Sequence, residues 1–161
     1  MSVSSIGSIE EVPRPERSTL LAGIEKIQGF LAEGQLLTDV GGTIAVSVLS
    51  TPGMIAMMER TCTILALENL PSSKATVGFE VCVKHVAGAL QGTSCEVRTV
   101  LREILDERKL RFEVEVHALD GDDHATRLIG IGTHERRIID IAQHSQSAGR
   151  PPQQTDSDQS P

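Results

Sequence analysis

The stretch Ser50-Thr-Pro-Gly-Met-Ile-Ala-Met-Met-Glu-Arg-Thr-Cys62 decides how the rest of the chain is read. Thr51 can cap a helix, and Pro52 suits a first helical position. Leu70-Pro71 stops the pattern, so the spacing predicts a helix from Thr51 to about Asn69. Apolar residues at Met54, Ile55, Met58, Cys62, Leu65 and Leu67 leave almost no polar face in its first turns. Such a helix is expected to be buried on most sides. Glu59 stands inside that apolar surface. A buried carboxylate is costly unless it is paired or has work to do.

Downstream, four segments carry strand character: 76–86, 93–105, 108–119 and 125–140. Alternation is plain in RFEVEVHAL, and Asp106-Glu107 and Asp120-Gly-Asp-Asp are turn chemistry. Upstream, residues 35–49 read as a strand, a Gly41-Gly42 break and an apolar connection. Leu20, Ile24, Ile27 and Leu31 recur at helical spacing, so 18–33 reads as a short added helix ended by Gly34. Residues 1–17 are Ser, Glu and Pro rich and are expected to be flexible. The tail 144–161 is expected to be disordered. A central helix wrapped by a curved antiparallel sheet is an α+β layout, the hotdog arrangement, over 18–143. One copy leaves an edge strand and part of the helix uncovered, so a homodimer is expected, with pairing into tetramers open.

Composition narrows the function. The 161 residues carry a net charge of −7, which argues against a general nucleic-acid partner. Three Phe and no Trp or Tyr leave little for stacking on bases. Cys62, Cys82 and Cys95 form no C-x-x-C and read as free thiols of a reducing cytoplasm. No apolar run approaches the roughly 18 residues of a membrane span, and no signal-peptide pattern opens the chain. No metal or redox cofactor is implied.

Three pieces resemble one family. TPGMIAMMERTC with Thr51 and Glu59, then VGFEVCVKHVAGALQG with His85, then GIGTHERRII follow in the order of the fluoroacetyl-CoA thioesterase-like hotdog enzymes. The resemblance covers about 35–141. It implies thioester hydrolysis with Thr51, Glu59 and His85 acting together, and implies that Gly78 and Arg136 line or shape the site. Fluoroacetyl-specific members carry aromatic gating residues upstream of the Thr. Here that region, GGTIAVSVLS, has none, so the resemblance implies hydrolysis of a short or small acyl-CoA without fluoroacetyl selectivity. Coenzyme A would be part of the substrate.

The chemistry is consistent on its own terms. A helix N-terminus offers free N–H groups, so those of Gly53 and Met54 can bind a developing oxyanion. His85 can serve as general base or acid. Glu59 can orient His85, activate water or attack as a carboxylate, and Thr51 can be nucleophile or hydrogen-bonding group. Each residue also has a plainer reading. Thr51 can be a cap, Glu59 can be a structural partner of Arg136, and His85 and His134 can be structural. Cys82 is an odd number of residues from His85 and should face the opposite side of its strand. His117 and His124 read as surface groups. Cys62 lacks surroundings that would make it a nucleophile. Lys84, Arg98, Arg102 and Arg137 read as solvated strand charges. Two further functions stay open: a non-catalytic acyl-CoA or small-ligand binding module, and a hotdog enoyl-CoA hydratase or dehydratase.

Overall fold

A computed structural model describes residue 9, residues 12–120 and residues 126–143. The tail expected to be disordered and His124 lie outside the described residues. The elements run β1 (Glu25–Leu31), β2 (Leu37–Thr38), β3 (Val48–Leu49), α1 (Thr51–Leu67), β4 (Lys74–His85), β5 (Ser94–Leu105), β6 (Lys109–Leu119) and β7 (Thr126–Asp140). A five-stranded antiparallel sheet has the order β1-β5-β6-β7-β4. β2 and β3 form a separate two-stranded ribbon.

α1 lies on one face of this sheet. The strand alternation decides which side chains meet it. Cys95, Val97, Thr99 and Leu101 from β5, and Leu110, Phe112, Val114, Val116 and Ala118 from β6, point inward and are buried. Met54, Met57, Met58, Cys62, Leu65 and Ala66 of α1 close over them. Each fully buried aliphatic or Met side chain stabilises by roughly 1.5–3 kcal/mol relative to exposure. The sheet covers only one side of α1, so Ile55, Glu59 and Arg60 are half-buried rather than enclosed.

The N-terminal segment departs from its periodicity. Residues 18–33 are not a helix: Glu25–Leu31 is strand β1, paired in register from Glu25↔Val100 to Leu31↔Ser94. Lys26, Gln28 and Phe30 take the less exposed side, while Ile27 and Leu31, which made the helical pattern, are exposed. A ladder to β5 supplies backbone partners that a short marginal helix cannot match, so tertiary pairing overrides propensity. The added helical element is a single 3-10 turn at Gly34–Leu36. Within the segment expected to be flexible, Arg14 is held in place. Its guanidinium donates to the carbonyls of Leu70, Pro71 and Lys74 at 2.6–2.8 Å.

Asp106 and Glu107 turn β5 into β6 with φ of +50° and +52°, and Arg108 N donates to Leu105 O at 3.0 Å. This is a tight two-residue turn whose central positions favour Asn and Gly. Left-handed backbone costs a side-chain-bearing residue roughly 1–2 kcal/mol. Glu107→Gly should therefore raise unfolding free energy by about 1 kcal/mol in denaturant titration. An unchanged or lower midpoint would show that the turn carries no such strain.

Candidate functional site

The cap of α1 is Ser50, not Thr51. Ser50 Oγ accepts from Gly53 N at 2.9 Å, placing Thr51 and Pro52 in the first helical turn. Thr51 keeps its hydroxyl for another partner, and Thr51 Oγ1 lies 2.9 Å from His85 Nδ1 at the end of β4. His85 Nε2 is buried and has no hydrogen-bond partner among the described residues. An unpaired buried polar atom is costly, so this one marks an unfinished site.

The amides expected to receive an oxyanion are occupied. Gly53 N is taken by Ser50 Oγ, and Met54 N donates to Ser50 O at 2.9 Å. Gly53 is instead a contact position, since a Cβ there would strike the Leu36 carbonyl and lie 2.8 Å from Leu36 Cα. Met54 is fully buried and packs over Gly130. With Pro52 lacking an N–H, the Thr51 N–H is the first-turn amide that has no partner among the described residues.

Glu59 sits elsewhere. It is two turns further along α1, about 12 Å by axial rise. Its side chain is 42% exposed and reaches toward β4 and β7. A Cβ on Gly78 would stand 2.8 Å from Glu59 Oε1, 3.5 Å from His134 Cε1 and 3.9 Å from Arg136 Nη1. Gly78 therefore lets the carboxylate approach the strand, beside a β-bulge between Gly78 and Glu80. One chain thus brings Thr51 to His85, and Glu59 to Gly78, His134 and Arg136, as two separate groups.

Sequence reasoning allowed Glu59 to pair with Arg136 and left His134 as either a site residue or a structural one. The i, i+2 spacing of His134 and Arg136 on β7 puts both on the inner face, where both are buried. Arg136 Nε donates to Thr76 Oγ1 at 2.9 Å and its Nη2 to Thr76 O at 3.0 Å. Its Nη1 lies 3.0 Å from His134 Nε2. A guanidinium has no acceptor, so His134 Nε2 must accept. The proton then rests on Nδ1, which donates to Glu80 O at 2.8 Å. His134 is neutral, and its 3.8 Å approach to Glu59 Oε1 is not an ion pair. Burial pushes the imidazole below its ordinary value, and the Arg136 cation adds to the effect against the Glu80 hydrogen bond. Burial likewise lowers Arg136.

The remaining candidates are buried, paired or turned to the outer face. Cys62 is buried with Sγ 3.0 Å from Thr99 Oγ1, and burial raises its thiol to about 12. Cys95 is buried and raised to about 11, chiefly by burial. Cys82 is exposed on the face opposite His85. Arg98, Arg102 and Arg137 pair with Glu25, Glu113 and Glu135. His117 is half-buried rather than a surface group. Among the described residues no cluster of three His, Cys, Asp or Glu side chains could hold a metal ion, and no helix is long and apolar enough to cross a membrane.

Solved structures share this architecture. The fluoroacetyl-CoA thioesterase FlK is 24% identical, covering 83% of this chain and 100% of that one, with a TM-score of 0.69. A thioesterase superfamily member of Thermus thermophilus is 21% identical, covering 84% and 93% with a TM-score of 0.67. An acyl-CoA hydrolase mutant of Staphylococcus aureus, in complex with coenzyme A, is 10% identical, covering 73% and 66% with a TM-score of 0.61. No curated protein matches the chain in sequence. The helix on its curved antiparallel sheet is a hotdog fold. The model of the fluoroacetyl-CoA-specific thioesterase family matches residues 32–142, and the chain belongs to that family. It is an acyl-CoA thioesterase.

Two outcomes follow from these environments. In the native protein a thiol reagent should spare Cys62 and Cys95 until unfolding; fast modification of either would contradict the burial. The second concerns pH. His134 is lowered from 6.5 in the folded state, so the unfolded chain takes the proton first. Its contribution to stability is complete above 6.5 and declines as pH falls below that value toward the folded one. Glu135, held down by Arg111 and Arg137, acts only below its ordinary 4.5. Denaturant unfolding followed from about pH 7.5 to 5 should show declining stability, with a shallower slope in His134→Gln. Equal slopes would refute this assignment.

Proposed function

We propose that the protein hydrolyses a short or small acyl-CoA through a Thr51–His85 pair completed by Glu59 of the partner subunit. The carrying observation is the 2.9 Å Thr51–His85 contact together with the buried, unpartnered Nε2 of the same imidazole. A hydroxyl that donates to Nδ1 leaves the proton on Nε2, where a carboxylate is the natural acceptor. Within one chain Glu59 belongs to the other group and is half-exposed.

A second copy supplies the missing geometry. β4 is one of the two edge strands of the main sheet, β1 being the other, and Val77 and Phe79 are exposed along β4. Antiparallel pairing of β4 with its own copy about a midpoint near Val81–Cys82 exchanges the positions of Gly78 and His85. The partner's Glu59, which follows Gly78, would then approach His85 Nε2. Edge pairing also removes the unpaired backbone row that an exposed strand presents.

In the reaction, Thr51 Oγ1 attacks the thioester carbonyl while His85 Nδ1 takes its proton. The Thr51 N–H receives the developing oxyanion, aided by the positive end of α1. The C–S bond then breaks, and the coenzyme A thiolate takes the proton from His85. Water, deprotonated by His85, attacks the acyl-threonine ester, and the free acid leaves as the proton returns to Thr51. The partner's Glu59 orients the imidazole and stabilises it when charged. The small acyl group rests on the family resemblance, and the cytoplasmic setting on the three free thiols. The loop before α1 carries no aromatic side chain, and its exposed large apolar residues are Val40, Ile44 and Val46.

Thiol release from an acyl-CoA panel tests the reading. His85→Gln and Thr51→Val should each lower kcat/KM by about 10²–10⁴-fold, and Glu59→Ala should abolish most turnover with folding intact. Tight binding without turnover in the unmodified protein would favour a binding module. Hydration of an enoyl-CoA with the thioester kept would favour a hydratase.

A further inference from the structure

The mechanism leaves a buried imidazole unused. His134 touches neither Thr51 nor His85, yet it is 2% exposed and forms hydrogen bonds through both ring nitrogens. Burying an imidazole among polar partners is an expensive way to fill space, since an aliphatic side chain would pack as well. Its partners indicate its use. On one side Nδ1 donates to the carbonyl of Glu80, the residue that closes the register shift after Gly78. On the other, Nε2 accepts from Arg136 Nη1, the guanidinium nitrogen nearest the Gly78 contact point. Thr76 holds the remaining two guanidinium nitrogens.

We propose, on the strength of the thioesterase reading, that His134 is a positioning residue for Glu59. As a neutral acceptor it fixes the Arg136 guanidinium over Gly78, and the fixed cation sets where the Glu59 carboxylate rests. His134 and Thr76 together hold the three guanidinium nitrogens in one plane, so the Arg136 side chain cannot swing toward Glu59 and form a closed ion pair. No such pair within 4.0 Å is present. The carboxylate is thereby attracted yet left open, as a group that must meet a second subunit requires. A protonated or missing acceptor at this position would release Arg136 to bind Glu59 directly and withdraw it from the partner's His85.

Two amide variants separate positioning from packing. Asn at 134 can keep the donor to the Glu80 carbonyl but offers nothing to Arg136. Gln at 134 can keep the acceptor for Arg136 but loses the Glu80 bond. His134→Asn should lower kcat by about 10²-fold with KM changed little, whereas His134→Gln should recover most of that loss. His134→Asn added to Arg136→Gln should cost nothing more than Arg136→Gln alone. Equal falls in both variants that track their melting temperatures would overturn the proposal in favour of packing. If neither variant folds, nitrogen-15 chemical shifts of the unmodified protein decide: a neutral Nδ1–H tautomer at neutral pH supports positioning, and an imidazolium or the other tautomer overturns it. Absence of thioester turnover in the unmodified enzyme would instead defeat the proposed function, a distinct result.

Discussion

Ser50 closes the first turn of α1, and its 2.9 Å hydrogen bond from Gly53 N sets what the rest of the site can be. One hydroxyl cannot both cap a helix and serve chemistry at another centre. Because Ser50 takes the cap, Thr51 is carried on the rigid first turn with its own hydroxyl unspent. The same turn delivers Thr51 to His85, the last residue of β4. Helix capping thus fixes a hydroxyl, a free amide and an imidazole in one place without any loop contributing precision.

The opposite end of the site follows a different rule. Here the sheet's pleat dictates the outcome, since His134 and Arg136 share the inner face and Gly78 opposes Arg136 across the β4–β7 ladder. The missing Cβ of Gly78 admits Glu59, while the bulge beside it supplies the carbonyl that fixes the His134 tautomer. Each group is internally ordered, but each is chemically incomplete. Among the described residues, His85 lacks an acceptor for Nε2, and Glu59 lacks a Lys or Arg partner. Incomplete groups on a chain with a free edge strand are the expected state of half an assembly.

Much of this was legible in the residues. The four long strands lie within two residues of their alternation limits, and α1 begins where Thr51-Pro52 predicts. The inner-face pairing of His134 with Arg136 follows from strand period alone. What misled was local pattern without context. Ile27 and Leu31 spell a helical stripe, but pairing with β5 turned them outward. Thr51 looked like the cap because Ser and Thr are near equals there, and one residue of offset decides which hydroxyl is free. The bulge at Gly78/Glu80 had no signal in the sequence, because it arises from how β4 is seated against β7 in the twisted sheet.

The central claim is that the catalytic groups come from two chains, and mixing two inactive variants tests it most directly. Thr51→Val and Glu59→Ala proteins are unfolded together, refolded as a mixture, and assayed for thiol release. In a mixed dimer one of the two sites then holds Thr51 and His85 from one chain and Glu59 from the other, all intact, so activity should return to about a quarter of the unmodified level. If all three groups serve within a single chain, every site in every mixed dimer lacks one of them. The mixture would then stay as inactive as its components, and the composite site would be contradicted.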